Sequence, residues 1–137
     1  MQKILKQDLS AEMQALLEAA AAARANTYAP YSNYFVGAAV LDETNKIHNG
    51  CNVENAAYTG THAEASAIAK LVSEGNKKIT AVACVTKDGG ACCGDCRQRI
   101  WELCSGNADV PIYLFDEQNN GMLVTIGELL PYAFELH

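Results

Sequence analysis

The chain has 137 residues, half of them hydrophobic and 19% charged, which suits one compact domain spanning 1–137 and excludes a disordered chain. A formal net charge of −6 argues against nucleic acid, whose binding draws on phosphate neutralisation by Lys and Arg. The start, MQKILKQDLS, has no apolar stretch followed by a cleavage site, and ALLEAAAAA is interrupted by Glu18 and too short to span a bilayer, so no membrane association is expected and the reading is cytoplasmic.

In chain order, residues 8–25 read as a helix, with Leu9, Met13, Leu16, Leu17 and Ala20 in one apolar stripe and Asp8 as N-cap; APYSN ends it. FVGAAVLD (35–42) and KIHNGCNV (46–53) read as strands joined across ETN in a hairpin. Residues 62–74 are helical, with Ile68, Leu71 and Val72 on one face, and KITAVACVT (78–86) is the nearly continuous apolar run of a strand covered on both faces. A helix over 95–104 and strands PIYLFD (111–116) and GMLVTI (121–126) follow, before a short helical end. This order predicts an α/β fold, a three-layer α-β-α sandwich around a mixed five-stranded sheet.

Six cysteines, at 51, 84, 92, 93, 96 and 104, would suggest disulfides in a secreted chain, but without a secretory signal a close pair points to metal or redox chemistry. THAEA and GACCGDCRQ each open a predicted helix, which sets His62, Cys93 and Cys96 at two helix N-termini, where partial positive charge favours a thiolate. Cys-x-x-Cys places two sulfurs at corners of a tetrahedron and one imidazole supplies a third, so the fourth position on a zinc ion stays open, the mark of a catalytic site. Glu64 is too close along the chain to share the ion with His62 and is placed to lean over the open position as a proton carrier. His-x-Glu followed by Cys-x-x-Cys is the general pattern of zinc deaminases. Other readings fit the parts: Thr61-x-x-Glu64 matches a capping box, and Cys-x-x-Cys alone matches a thiol-redox pair. The joint occurrence favours metal.

The stretches LLEAAAAARANTYAPYSNYFVGAAV, GCNVENAAYTGTHAEASAIAKLVSEG, CCGDCRQ and ELLPYAF together resemble the cytidine deaminase family, in its short, single-domain, homotetrameric branch. The resemblance implies hydrolytic deamination of cytidine and 2′-deoxycytidine to uridine and 2′-deoxyuridine, with one Zn2+ per subunit on His62, Cys93 and Cys96, and Glu64 as proton shuttle. It implies that Asn52 and Glu54 bind the ribose hydroxyls, that backbone near Ala56 and Ala91 meets the base, and that Tyr34 and Tyr58 lie near the substrate. Phe134 is implied to reach a neighbouring subunit's site in a homotetramer. A carboxylate at Glu54 repels phosphate, so a free nucleoside suits the site better than a nucleotide. Using Glu64 as base and then acid calls for a pocket that excludes water. The other functions weighed are deamination of a different modified aminopyrimidine nucleoside or antibiotic, and a zinc-stabilised binding module without catalysis.

The sequence departs from the resemblance at several positions. His62 stands where that branch usually has Cys, and Ala65 where it often has Arg; a site with one His and two thiolates is neutral and needs no compensating cation. Cys92 replaces a usual proline, from which a movable loop and acceptance of cytosines with larger N4 substituents are expected. Tyr34-Phe35 also differs, adding a hydroxyl near the position the resemblance implies for base and sugar. The x-x spacing assigns the metal to Cys93 rather than Cys92.

Overall fold

The structure, a computed structural model, describes residues 1–136. Its elements are β1 (Gln2–Leu5), a 3-10 turn (Lys6–Asp8), α1 (Ala11–Arg24), β2 (Gly37–Asp42), β3 (Ile47–Cys51), α2 (Ala63–Ser73), β4 (Ile79–Val85), α3 (Gly94–Glu102), β5 (Pro111–Phe115), β6 (Asn120–Thr125) and α4 (Ile126–Leu129). The strands form one sheet in the order β1-β6-β5-β4-β2-β3, mixed because β4 and β5 are parallel while the other neighbours are antiparallel. The α/β class and the mixed sheet agree with the sequence reading; the strand count is six rather than five. The extra strand, β1, lies at an edge with most of its residues exposed, and its pairing with β6 depends on a partner over a hundred residues away, which no local pattern encodes.

Period-two alternation along the central strands divides the core into two layers. Ala38, Val40, Val82, Cys84, Ile112 and Leu114 face α2 and α3, whereas Ala39, Leu41, Ala81, Ala83, Tyr113 and Phe115 face α1. Leu16, Leu17 and Ala20 carry the α1 stripe into the second layer, buried as expected. Helix α1 is capped by Ser10, whose Oγ accepts from the Met13 amide at 3.2 Å; Asp8, the expected cap, ends up in the 3-10 turn that precedes it. Gly50 lets α2 approach the sheet closely, since a Cβ there would meet the Ser66 Cβ at 2.6 Å and the Ala67 amide nitrogen at 2.7 Å. That contact fixes where α2, and with it Glu64, sits above β3.

Candidate metal centre and active site

The first turns of α2 and α3 meet beside the C-terminal end of β4. His62 is the N-cap of α2 and Cys93 the N-cap of α3, both with extended backbone, and neither uses its side chain to cap. Their side chains are therefore free to converge: His62 Nδ1 lies 3.2 Å from Cys93 Sγ and 3.2 Å from Cys96 Sγ. The capping box read into Thr61-x-x-Glu64 does not form; Thr61 pairs its backbone with Val53, and Glu64 turns into the interior. The capping box in the fold belongs to Thr125 and Glu128 at the start of α4.

The three donor atoms of His62, Cys93 and Cys96 all lie within 4.8 Å of one another. Bond lengths of about 2.0 Å to nitrogen and 2.3 Å to sulfur give tetrahedral donor separations of about 3.5 Å, so this set fits zinc. Cys92, by contrast, turns away: its sulfur lies 3.6 Å from Cys84 Sγ and its carbonyl accepts from Arg97 Nε at 2.6 Å. That hydrogen bond links the loop to α3 at the residue that stands where a proline is usual. Burial, reinforced by Glu64 and Cys93, pushes the Cys96 thiol up, so the helix start alone does not favour its thiolate; a bound cation is what relieves the penalty.

Glu64 is buried, its Oε2 3.4 Å from Cys96 Sγ and its Oε1 3.7 Å from Cys84 Sγ. It opens onto a cavity of about 650 Å³ that also receives Tyr34, Asn52, Glu54, Tyr58, Ala91 and Cys93, a size suited to a small organic molecule. Ala56 and Phe134 do not line it. Phe134 is exposed, and its carbonyl accepts from Gln98 Nε2 at 2.8 Å.

In the same cavity, the Ser32 hydroxyl and amide, with the Tyr31 amide, hold the Glu54 carboxyl below its usual range. Asn52 lines the cavity and also braces the chain beside it: its Oδ1 accepts from the Val36 amide at 2.9 Å and its Nδ2 donates to the Tyr34 carbonyl at 2.8 Å. The Tyr34 hydroxyl in turn donates to Asp88 Oδ1 at 2.8 Å, and Asp88 accepts as well from the Thr86 hydroxyl and the Gly90 amide. Sequence reading missed Ser32, Cys84 and Asp88; for Cys84 a signal existed, because alternation in ITAVACVT puts it on the same face as Val82, toward α2.

Residues 10–112 match the model of the cytidine and deoxycytidylate deaminase zinc-binding region. A cytidine deaminase of Sporosarcina psychrophila is 40% identical over 90% of this chain and 91% of its own, and one of Halalkalibacterium halodurans is 42% identical over 90% and 94%. The crystal structure of cytidine deaminase from Burkholderia pseudomallei superposes with a TM-score of 0.82 at 40% identity, covering 92% of this chain and all of that one. That from Mycobacterium tuberculosis gives 0.78 at 35% identity over 93% of this chain and all of its own. With agreement in sequence and fold over nine-tenths of its length, the chain belongs to the zinc-binding cytidine and deoxycytidylate deaminase family.

Proposed function

We infer that the protein is a zinc-dependent cytidine deaminase that converts cytidine and 2′-deoxycytidine, with water, to uridine and 2′-deoxyuridine and ammonia. The observation that carries this reading is the placement of a buried carboxylate, Glu64, against the His62–Cys93–Cys96 cluster in a nucleoside-sized cavity that is also lined by the Glu54 carboxylate. His62, Cys93 and Cys96 would hold the ion. When bound, zinc supplies a Lewis acid that lowers the pKa of an attached water to about 7.

The rest is done by side chains of this chain. Glu64 takes a proton from the attacking water and delivers it to N3 of the pyrimidine, which makes C4 electrophilic; after addition it takes the proton of the new C4 hydroxyl and hands it to the departing amine, which leaves as ammonia while C4 becomes a carbonyl. Its burial keeps bulk water from competing for that proton. Glu54 accepts hydrogen bonds from ribose hydroxyls while repelling a phosphate, which selects nucleoside over nucleotide. Asn52 joins Glu54 on the ribose hydroxyls, and its hydrogen bonds to the Val36 amide and Tyr34 carbonyl hold it and that segment in place. Gly90, which has no side chain, and the small Ala91 line the cavity beside Cys92 and Cys93 in sequence and leave room there, so the proposed range extends to N4-substituted cytidines.

The reading includes a single 1–137 domain acting in the cytosol as a homotetramer. Six free cysteines support a reducing compartment. Exposed Tyr58, Tyr132, Phe134 and Leu136 support burial against other copies, with Phe134 entering a neighbour's site and the backbone near Ala56 completing the base contacts.

The test measures zinc content together with absorbance loss on cytidine, deoxycytidine, N4-methylcytidine and cytidine monophosphate. Turnover of the nucleosides and not the monophosphate is expected. A folded, zinc-loaded protein inactive on every one would replace the enzyme reading by a binding module; silence on N4-methylcytidine alone would confine the range to the parent nucleosides.

A further inference from the structure

Cys84 and Cys92 take no part in the mechanism above, yet they lie beside its central carboxylate. Both are buried, their sulfurs are 3.6 Å apart, and Cys84 Sγ is 3.7 Å from Glu64 Oε1. The donor atoms of Cys84, Cys92 and Glu64 all lie within 4.8 Å of one another, as those of His62, Cys93 and Cys96 do. We propose that Cys84, Cys92 and Glu64 form a second cation site, specific for a thiophilic d10 ion such as excess Zn2+ or Cd2+, whose occupancy inhibits the enzyme.

Three features of the geometry support it. Separations of 3.6 and 3.7 Å match the edges of a tetrahedron built on bonds of about 2.3 Å to sulfur and 2.0–2.2 Å to oxygen. All three residues line the same open cavity, which gives the ion an entry path and leaves room for a fourth ligand from solvent. Two sulfurs and one carboxylate select a soft or borderline ion over Mg2+ or Ca2+. On binding, two sulfur–metal bonds and one oxygen–metal bond form, and the two thiol protons pass to solvent.

Glu64 stands between the two sulfur sets, Oε2 toward Cys96 and Oε1 toward Cys84. An ion held through Oε1 engages the carboxylate that the proposed function uses as proton carrier, so inhibition follows while the first zinc stays in place. The inhibitory consequence rests on that functional reading; the existence of the site does not.

The one-zinc holoprotein is titrated with ZnCl2, and in parallel with CdCl2, then freed of unbound ion, and bound zinc and cadmium are counted per chain. Two ions per chain are expected in the wild type, with cadmium–thiolate charge-transfer absorption showing two new sulfur bonds. Cys84→Ala and Cys92→Ala should each hold one ion. In the wild type, cytidine turnover should fall at least about tenfold as the second ion binds, a fall that both variants escape. One ion per chain in the wild type, or a second ion retained by both variants, overturns the site. Two ions without loss of turnover overturn the inhibitory role. A protein inactive on cytidine from the start would refute the functional reading, and the ion count would still decide whether the site exists.

Discussion

Cys96 Sγ lies 3.4 Å from Oε2 of Glu64, across 32 residues of sequence. The contact joins the starts of α2 and α3, and it places the carboxylate at the edge of the metal cluster rather than within it. Glu64→Gln preserves shape and removes proton transfer. Turnover should fall by about 10²–10⁴-fold with zinc content unchanged. A variant that loses zinc along with activity would make Glu64 a ligand rather than a proton carrier.

The neighbouring cysteines 92 and 93 separate cleanly. Cys93 Sγ faces His62, whereas Cys92 Sγ faces Cys84. Cys93→Ser should yield protein with little or no zinc as isolated, and Cys92→Ser should keep one ion per chain, as metal analysis will show. The reverse pattern would reassign the ligand.

The ligand set was legible in the sequence because two helix starts with fixed spacing, His-x-Glu and Cys-x-x-Cys, encode most of its geometry locally. The central strand was legible for the same reason: an apolar run in 79–85 has one interpretation once it is too short for a helix. What escaped was non-local. β1 is defined by its partner β6, the face of Cys84 matters only because Cys92 returns to it, and the Tyr34–Asp88 link joins positions 54 apart. Thr61-x-x-Glu64 stayed ambiguous because its spacing serves a cap and a catalytic carboxylate equally, and only tertiary structure turns Glu64 inward.

Asn52 carries a split prediction. If it braces Tyr34 and Val36, Asn52→Ala should raise KM for cytidine and lower Tm by several degrees, since two hydrogen bonds to the Tyr34 carbonyl and Val36 amide are lost. A KM effect at unchanged Tm would restore a purely ribose-binding role.

Ala65 follows Glu64 on α2 and is half-buried. A neutral set of one imidazole and two thiolates on zinc has no charge for an arginine to offset, so Ala65→Arg should add unbalanced positive charge beside the site. A fall in kcat/KM on the order of tenfold is expected. The double change His62→Cys with Ala65→Arg should recover part of it. A rise in activity for Ala65→Arg alone would sink the charge-balance argument.

Asp42 and His48 make a polar pair inside the opposite end of the sheet, both buried, with His48 Nε2 and Asp42 Oδ2 2.7 Å apart. Burial alone would push the Asp42 carboxyl up. Hydrogen bonds from the Thr44 hydroxyl, His48, and the Lys46 and Thr44 amides outweigh it and hold the carboxyl well below its ordinary value near 3.8. A folded-state value below the unfolded one means that the unfolded chain binds the extra proton. The stabilisation is therefore complete above the ordinary value and is lost as pH falls beneath it toward the folded value. Asp42→Asn removes this dependence and leaves the Thr44 and Lys46 donors a weaker acceptor. Its Tm at pH 7 should drop by about 5–10 °C. Below pH 4 its stability should fall less steeply than that of the wild type, so the two curves converge. Denaturant unfolding across pH 2–7 gives both curves, and parallel curves would show that Asp42 is not the group that couples acid to unfolding.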